Sequence, residues 1–194
     1  MGDLARLALA GPEAGLSRDE ALGIAYQLVV GGSETTVGLL ASAMRFAAEL
    51  PGAWERLRAG PGEIPAFVEE SVRLETPGLG SYRRTTRALE IEGVVLPEGA
   101  TLALLWASAN RDEAEFSGPD RFVLHRPNIK AHLGFGYGTH FCLGAAVTRM
   151  ETRIVLEVLL ARASRARIAR PPEELRFVPT VFIRRLVALE AEVT

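Results

Sequence analysis

The chain has 194 residues and a mass of 20.9 kDa, with 48% hydrophobic and 24% charged residues. That balance fits a folded globular protein and excludes a disordered tail, a collagen-like repeat and an array of several modules. A net charge of -2 and a pI near 6.0 leave no basic excess to attract nucleic acid or an anionic membrane.

The cations are 21 arginines and one lysine, Lys130, and arginine suits rigid, bidentate, partly buried ion pairs. One cysteine, Cys142, cannot close an intrachain disulfide and fits a reducing, cytoplasmic setting. Gln27, Ser33, Glu34 and Arg45 interrupt the longest apolar stretch, so no run of about 20 apolar residues is available to span a bilayer. Met1 to Ala14 lacks a signal-peptide layout. The chain is therefore expected to be soluble.

In chain order, Ser17-Arg18-Asp19-Glu20 is a capping box that predicts the start of a helix. Apolar residues then recur at helical spacing from Leu22 to Ala47, until Pro51-Gly52, which predicts a helix over about 18–50. At the usual rise this helix is roughly 50 Å long. Such a helix must cross the whole protein, so its middle is expected to be buried on most sides. Short helices follow over Ala53–Arg58 and about 65–75, the latter opened by Pro65 and stopped by Thr76-Pro77. Ser81–Thr86, Leu89–Ile91 and Val94–Leu96 read as short strands, with turns at Glu92-Gly93 and Pro97-Glu98-Gly99.

Residues 110–130 are rich in Asp, Arg, Pro and aromatics without periodicity, which predicts an irregular segment pinned by side chains. A glycine-rich loop, 135–144, leads into a helix over about 143–163. Past Pro171-Pro172, strand-like stretches lie at 175–178 and 187–190. No internal repeat is present. The fold class expected is mainly α with small β hairpins, an α+β arrangement in a single domain over 1–194.

Phe135-Gly136-Tyr137-Gly138-Thr139-His140-Phe141-Cys142-Leu143-Gly144 places the only thiol between a glycine-rich loop and a helix start. Free N–H groups and the positive helix end stabilise an anion there, and the glycines let backbone wrap closely around whatever the sulfur binds. Taken alone, a single cysteine is more often a buried packing residue. His132, His140 and Cys142 offer zinc-ligand chemistry, but their spacing and the isolated His125 do not supply four converging ligands. Gly134-x-Gly136-x-Gly138 lacks the lysine or acid that phosphate-cradling loops need.

The decapeptide resembles the haem-binding signature of the cytochrome P-450 family, the haem-thiolate monooxygenases, with Phe135, Gly138, Cys142 and Gly144 on its fixed positions. Three further motifs occur in the family's order. Gly31-Gly32-Ser33-Glu34-Thr35-Thr36 is similar to the oxygen-binding motif of the long helix. Glu70-Ser71-Val72-Arg73 is similar to the Glu-x-x-Arg motif, and Phe116 with Pro119-Asp120-Arg121-Phe122 to the segment that completes its ion-pair triad.

The resemblance implies a haem held by its iron on Cys142, the metal ligand, within a loop whose Phe135, Gly136 and Gly144 surround the sulfur. It implies propionate contacts from His140 and Arg83, although Arg84 is adjacent to Arg83. Glu34 and Thr35 would pass protons through water toward the reacting oxygen. Glu70, Arg73 and Arg121 would form a buried structural triad. Two glycines weaken a helix by about 1 kcal/mol each relative to alanine, so Gly31-Gly32 suggests a local opening or close approach of another group.

The reaction implied is insertion of one atom of dioxygen into a small apolar organic substrate. Electrons would come from a separate ferredoxin or flavoprotein reductase docking near Arg149 and Arg153. Leu79 to Tyr82 and Val181 to Phe182 are candidate pocket walls. The resemblance covers the whole chain but only the C-terminal half of the family's length. The alternative expectation is therefore a truncated, non-catalytic haem-binding remnant, or one half of a split protein that needs a complementary N-terminal chain.

Overall fold

The computed structural model describes residues 16–194. The reading of Met1 to Ala14 lies outside the described residues. Helix α1, Arg18–Glu49, opens on the expected capping box: Glu20 N–H donates to Ser17 Oγ at 3.2 Å, and Ser17 N–H donates to Glu20 Oε2 at 2.8 Å. It runs unbroken through Gly31-Gly32.

Burial along α1 differs from the expectation. Apart from Ala21, its buried residues begin at Thr36 and continue through Gly38, Leu39, Ser42, Ala43 and Ala47. Residues 31–34 at the middle are exposed, as are Leu22, Tyr26 and Val29. Among the described residues, burial along α1 is thus concentrated in its second half; a long apolar pattern records that a face must be covered, not what covers it.

At the end of α1, Gly52 adopts φ 71°, a left-handed turn that costs glycine nothing and reverses the chain into α2, Ala53–Ala59. A 3-10 turn at Pro61–Glu63 leads to α3, Ile64–Leu74, whose Phe67, Val68 and Glu70 to Leu74 are all buried. The main core joins Ala43 and Ala47 of α1, Trp54 and Leu57 of α2, and Ile64, Phe67 and Val68 of α3. Helix α5, Ala145–Arg162, closes it with Leu156 and Leu160. Phe122 wedges in, its ring 4.8 Å from that of Phe67 and 5.1 Å from that of Phe46.

The sheets are small, as expected. Strand β1, Ser81–Arg84, pairs antiparallel with β4, Thr101–Leu104. Strands β2, Leu89–Ile91, and β3, Val94–Leu96, form a hairpin about Glu92 and Gly93, both at positive φ. A short helix α4, Trp106–Ala109, follows. The last pair is β5, Ala166–Ile168, with β6, Ala191–Val193. The strands expected at 175–178 and 187–190 reduce to one bridge, Phe177 with Leu186, flanked by bonds Val178 N–H to Arg185 O and Val187 N–H to Arg176 O. Strand β1 also ends before Thr85, whose hydroxyl turns to the Pro97 carbonyl at 2.6 Å. No helix among the described residues is long and apolar enough to cross a membrane.

Leu57 is almost fully buried where α2 meets α3 and α5. Leu57→Ala is expected to lower stability by about 2–5 kcal/mol, the cost of lost transfer plus the cavity left behind, read from the urea midpoint of the full chain.

Candidate active site

The chemistry-bearing elements hang on α3. Its Glu70 and Arg73 are both fully buried and meet in a bidentate pair, with Nε to Oε2 and Nη2 to Oε1 both at 2.8 Å. The third member is Arg126, not Arg121. Arg126 donates Nε to Glu70 Oε1 at 3.1 Å and is buried, whereas the Arg121 side chain is exposed. Arg121 contributes only its carbonyl, which accepts from Arg73 Nη2 and Arg126 Nη2. The turn at His125, φ 62°, precedes the arginine that points inward. Two guanidinium groups thus share one carboxylate, and their spare N–H groups reach the carbonyls of Asn110, Ser117, Gly118 and Pro119. The Phe116 ring lies 5.2 Å and 5.9 Å from the two guanidinium carbons.

This cluster passes its order to the Cys142 loop. Asn110 donates Nδ2 to Thr76 Oγ1 at 2.7 Å and accepts Leu133 N–H on Oδ1 at 2.6 Å. Gly134 then lies so close to α3 that a Cβ there would sit 2.5 Å from Val72 Cγ1 and 3.2 Å from its carbonyl. Gly136 and Gly138 take φ 73° and 67°, and a 3-10 turn at Gly138–His140 brings the chain back. Cys142 N–H donates to the Phe135 carbonyl at 2.8 Å, and its side chain is exposed. Helix α5 starts at Ala145 rather than at 143, because Cys142 to Gly144 form a turn closed by Ala145 N–H on Cys142 O. Thr36 Oγ1 lies 3.4 Å from Thr148 Oγ1, which joins α1, one residue past Thr35, to the first turn of α5.

On α1, Thr35 donates its hydroxyl to Gly31 O at 2.6 Å, and Ser33 donates to Val29 O at 2.7 Å. Glu34 is exposed, with Arg185 Nε 4.0 Å from Oε2. Arg83 is held on its own strand, donating to Ser81 Oγ at 3.1 Å and Tyr82 O at 2.8 Å, while Arg84 turns to Gly99 O. His140 is exposed at the end of its turn. Tyr82 and Phe182 meet edge to face at 5.5 Å, so the two expected pocket-wall segments are neighbours.

Sequence reasoning missed a second ionic group. Glu69, next to Glu70, accepts Arg149 Nε on Oε1 at 2.5 Å, and Arg149 Nη2 and His132 Nε2 on Oε2, each at 3.0 Å. Burial pushes the Glu69 carboxyl up, but the bonds from His132 and Arg149 outweigh it and bring it down to about 2. Arg149 also stacks 4.3 Å above the Phe135 ring. Its side chain is thus both paired and stacked while remaining partly exposed. Arg153 pairs with Glu157 at 3.5 Å and stays exposed. A further pair of arginines, Arg45 and Arg184, meets the buried Glu75. The only signal for Glu69 was its doubling with Glu70.

Residues 64–165, more than half of the chain, match the family described as Cytochrome P450. The chain belongs to that family. Cytochrome P450 144 of Mycobacterium tuberculosis is 41% identical over 166 residues, 86% of this chain and 38% of the relative. Erythromycin C-12 hydroxylase of Saccharopolyspora erythraea is 40% identical over 162 residues, 83% of this chain and 41% of the relative. Among solved structures, the tirandamycin C-bound P450 monooxygenase TamI superposes with a TM-score of 0.92 at 35% identity, over 98% of this chain and 48% of that one. The mainly helical fold with small hairpins is thus the P450 fold, and the chain spans less than half the length of these relatives.

The P450 family implies haem, and the residues around Cys142 fit one. Among the described residues, no three metal-ligating side chains converge. A lone exposed sulfur suits a metal that arrives with its other donors already in place better than a bare ion, which needs several protein ligands. Gly138 has nothing within 4 Å of a notional Cβ, and Gly31 meets only the end of Gln27, so both backbones are open to close approach by a flat group.

Arg126→Gln is expected to cost about 3–5 kcal/mol, because it removes one of the two cations paired with a buried carboxylate and leaves the carbonyls that Arg126 served without their donor. Arg121→Gln should stay within about 0.5 kcal/mol; paired urea titrations compare them. A second expectation concerns acid. The folded-state carboxyl of Glu69 lies below its ordinary 4.5, so its stabilisation is present above pH 4.5 and is lost as pH falls toward 2. Glu69→Gln, with no carboxyl to protonate, should lose less stability than wild type over that range, as followed by urea midpoints at successive pH values.

Proposed function

We propose that this chain is the haem-binding part of a P450 monooxygenase, in which Cys142 would hold the haem iron through its sulfur as thiolate. The observation that carries this reading is the placement of one exposed sulfur in a glycine-rich loop pinned to α3, at the start of a helix joined to α1 beside Thr35. When bound, the haem would supply dioxygen activation, with one oxygen atom passing to the substrate and the other leaving as water. The chain's own residues divide the remaining work.

Phe135, Gly136 and Gly144 shape the loop around the sulfur, and Cys142 N–H, fixed on Phe135 O, keeps the backbone from swinging away. The start of α5 directs unpaired N–H groups toward this turn, which favours negative charge there. His140 and Arg83 supply donors for the carboxylates of a propionate-bearing ring; releasing Arg83 from Ser81 and Tyr82 frees it to do so. Glu34, open to water, takes up protons, and Thr35 holds the water through which they pass on. The Thr35 hydroxyl donates to Gly31 O, so its oxygen is oriented to accept from a water.

The substrate would be a small apolar organic molecule bordered by Leu79 to Tyr82, Val181 and Phe182. Electrons would come from a separate ferredoxin or flavoprotein reductase docking near Arg153, which is exposed, and Arg149, which is partly so. The setting would be cytoplasmic, and residues 1–194 would form a single domain.

A second reading is favoured by a specific observation. Leu22, Tyr26 and Val29 on α1, and Val147, Met150 and Ile154 on α5, are exposed apolar side chains on both elements of the site. Surface of that kind marks a contact. Under this reading the chain is a non-catalytic remnant, or one part of a split protein whose complementary N-terminal portion covers these faces.

Expressing the full chain with haem, reducing it and adding carbon monoxide separates the two. The first reading expects the red-shifted absorption band of a thiolate-ligated haem, lost in Cys142→Ser. Absence of haem uptake by the wild-type chain favours the second reading.

A further inference from the structure

We propose that Glu69, His132 and Arg149 are positioning residues for Cys142, a clamp that closes the base of the sulfur-bearing loop. The functional value of the clamp rests on the reading of Cys142 as a cofactor ligand; its mechanical part does not.

Glu69 lies on α3, and its two oxygens receive three N–H groups from residues on opposite sides of Cys142. His132 lies ten positions before the sulfur and Arg149 seven after it. One carboxylate thus ties both ends of the segment 132–149 to a helix anchored in the core by its buried Ile64, Phe67 and Val68. Closing a flexible segment at its base removes conformations that an untied segment of the same length would sample.

The tie is directional at each end. Gly134 N–H donates to His132 Nδ1 at 3.1 Å, so that nitrogen is the acceptor and the ring proton sits on Nε2, facing Glu69. His132 is itself buried. Its contact with Gly134 holds the chain where a Cβ would collide with Val72. At the other end, Arg149 makes a fork-shaped pair with Glu69 and lays its guanidinium on the Phe135 ring. Phe135 is the residue whose carbonyl accepts Cys142 N–H. A continuous path therefore runs from the carboxylate through Arg149 and Phe135 to the backbone of the sulfur-bearing residue.

Glutamine cannot replace Glu69 in this path. It offers one acceptor oxygen where three donors converge, and its NH2 group would face a donor. Lysine cannot replace Arg149, because an ammonium makes neither the paired bond nor the flat stack.

The test follows amide hydrogen exchange in the full chain, without haem, for wild type, Glu69→Gln, Arg149→Lys and the core variant Leu57→Ala. The clamp predicts that Cys142 and Gly134 amides exchange about tenfold faster or more in Glu69→Gln and Arg149→Lys, by local opening, with amides of Leu57 and Leu156 little changed. In Leu57→Ala the core amides should move first. Wild-type exchange at Cys142 in both clamp variants would overturn the proposal, as would a uniform acceleration of core and loop together. If Glu69→Gln does not fold, Arg149→Lys decides by the same criterion. With haem and carbon monoxide, the clamp variants should show a smaller fraction of the thiolate band than wild type. A wild-type chain that takes up no haem sinks the functional reading, while the exchange rates still decide the clamp.

Discussion

A carboxylate and two guanidinium groups, withdrawn from water beside α3, set the terms for the rest of this P450 chain. Taking Glu70, Arg73 and Arg126 out of solvent costs several kcal/mol per charge, and that cost is offset only where every N–H finds an acceptor. The acceptors are carbonyls of Asn110, Ser117, Gly118, Pro119 and Arg121, all on one segment that has no regular structure of its own. The segment is therefore ordered by charges it does not itself balance. Glu70 also accepts Val123 N–H at 3.0 Å, so the carboxylate bonds both to its partners and to the backbone they hold.

The same helix hands order onward in two directions. Through Thr76 and Asn110 it fixes Leu133, and through Val72 it fixes Gly134. Adjacent carboxylates then do different work because consecutive residues on a helix point about 100° apart. Glu70 faces the irregular segment, and Glu69 faces the loop and α5. Arginine is suited to both tasks for one reason. Its fork can pair with a carboxylate and still present N–H groups to carbonyls, as Arg73 and Arg126 do, which an ammonium serves poorly.

Local chemistry was legible in the sequence where it is written in contiguous residues. Ser17 to Glu20 specify a cap, Glu92-Gly93 a hairpin turn, and Pro65 and Thr76-Pro77 the limits of α3. The order of the four motifs was enough to indicate the family. What was not legible depended on which side chain turns inward after a bend. Arg121 stands inside the recognised segment, but a left-handed residue at His125 directs Arg126 to Glu70. Strand β4 was missed because Thr101 to Leu104 is short and flanked by apolar residues on one side, and β5 because Ala166 to Ile168 pairs with the distant Ala191 to Val193 and not across a local turn, as β2 does with β3. Glu69 was missed because the one base within four residues of it on α3, Arg73, pairs with Glu70 instead, while its own partners are 63 and 80 residues distant.

The long helix shows where local pattern stops being informative. Its apolar residues continue from Leu22 to Ala47 without a change of period, yet the burial changes at Thr36. The described core gathers at the far end of α1, around Ala43, Ala47, Trp54 and Phe67. Gly31 to Thr35, the stretch given the proton-transfer work, lies on the side that core does not reach. Tyr26, 70% exposed, and Leu143, 93% exposed, lie on α1 and beside Cys142, respectively. The rigid scaffold thus grips the loop from beneath, through α3, and leaves the opposite surface of the site to be shaped by whatever packs on the front of α1. Within this chain the sulfur-bearing loop is held through Val72 and Glu69 of α3, whereas the large apolar side chains left open lie on α1 and beside the sulfur.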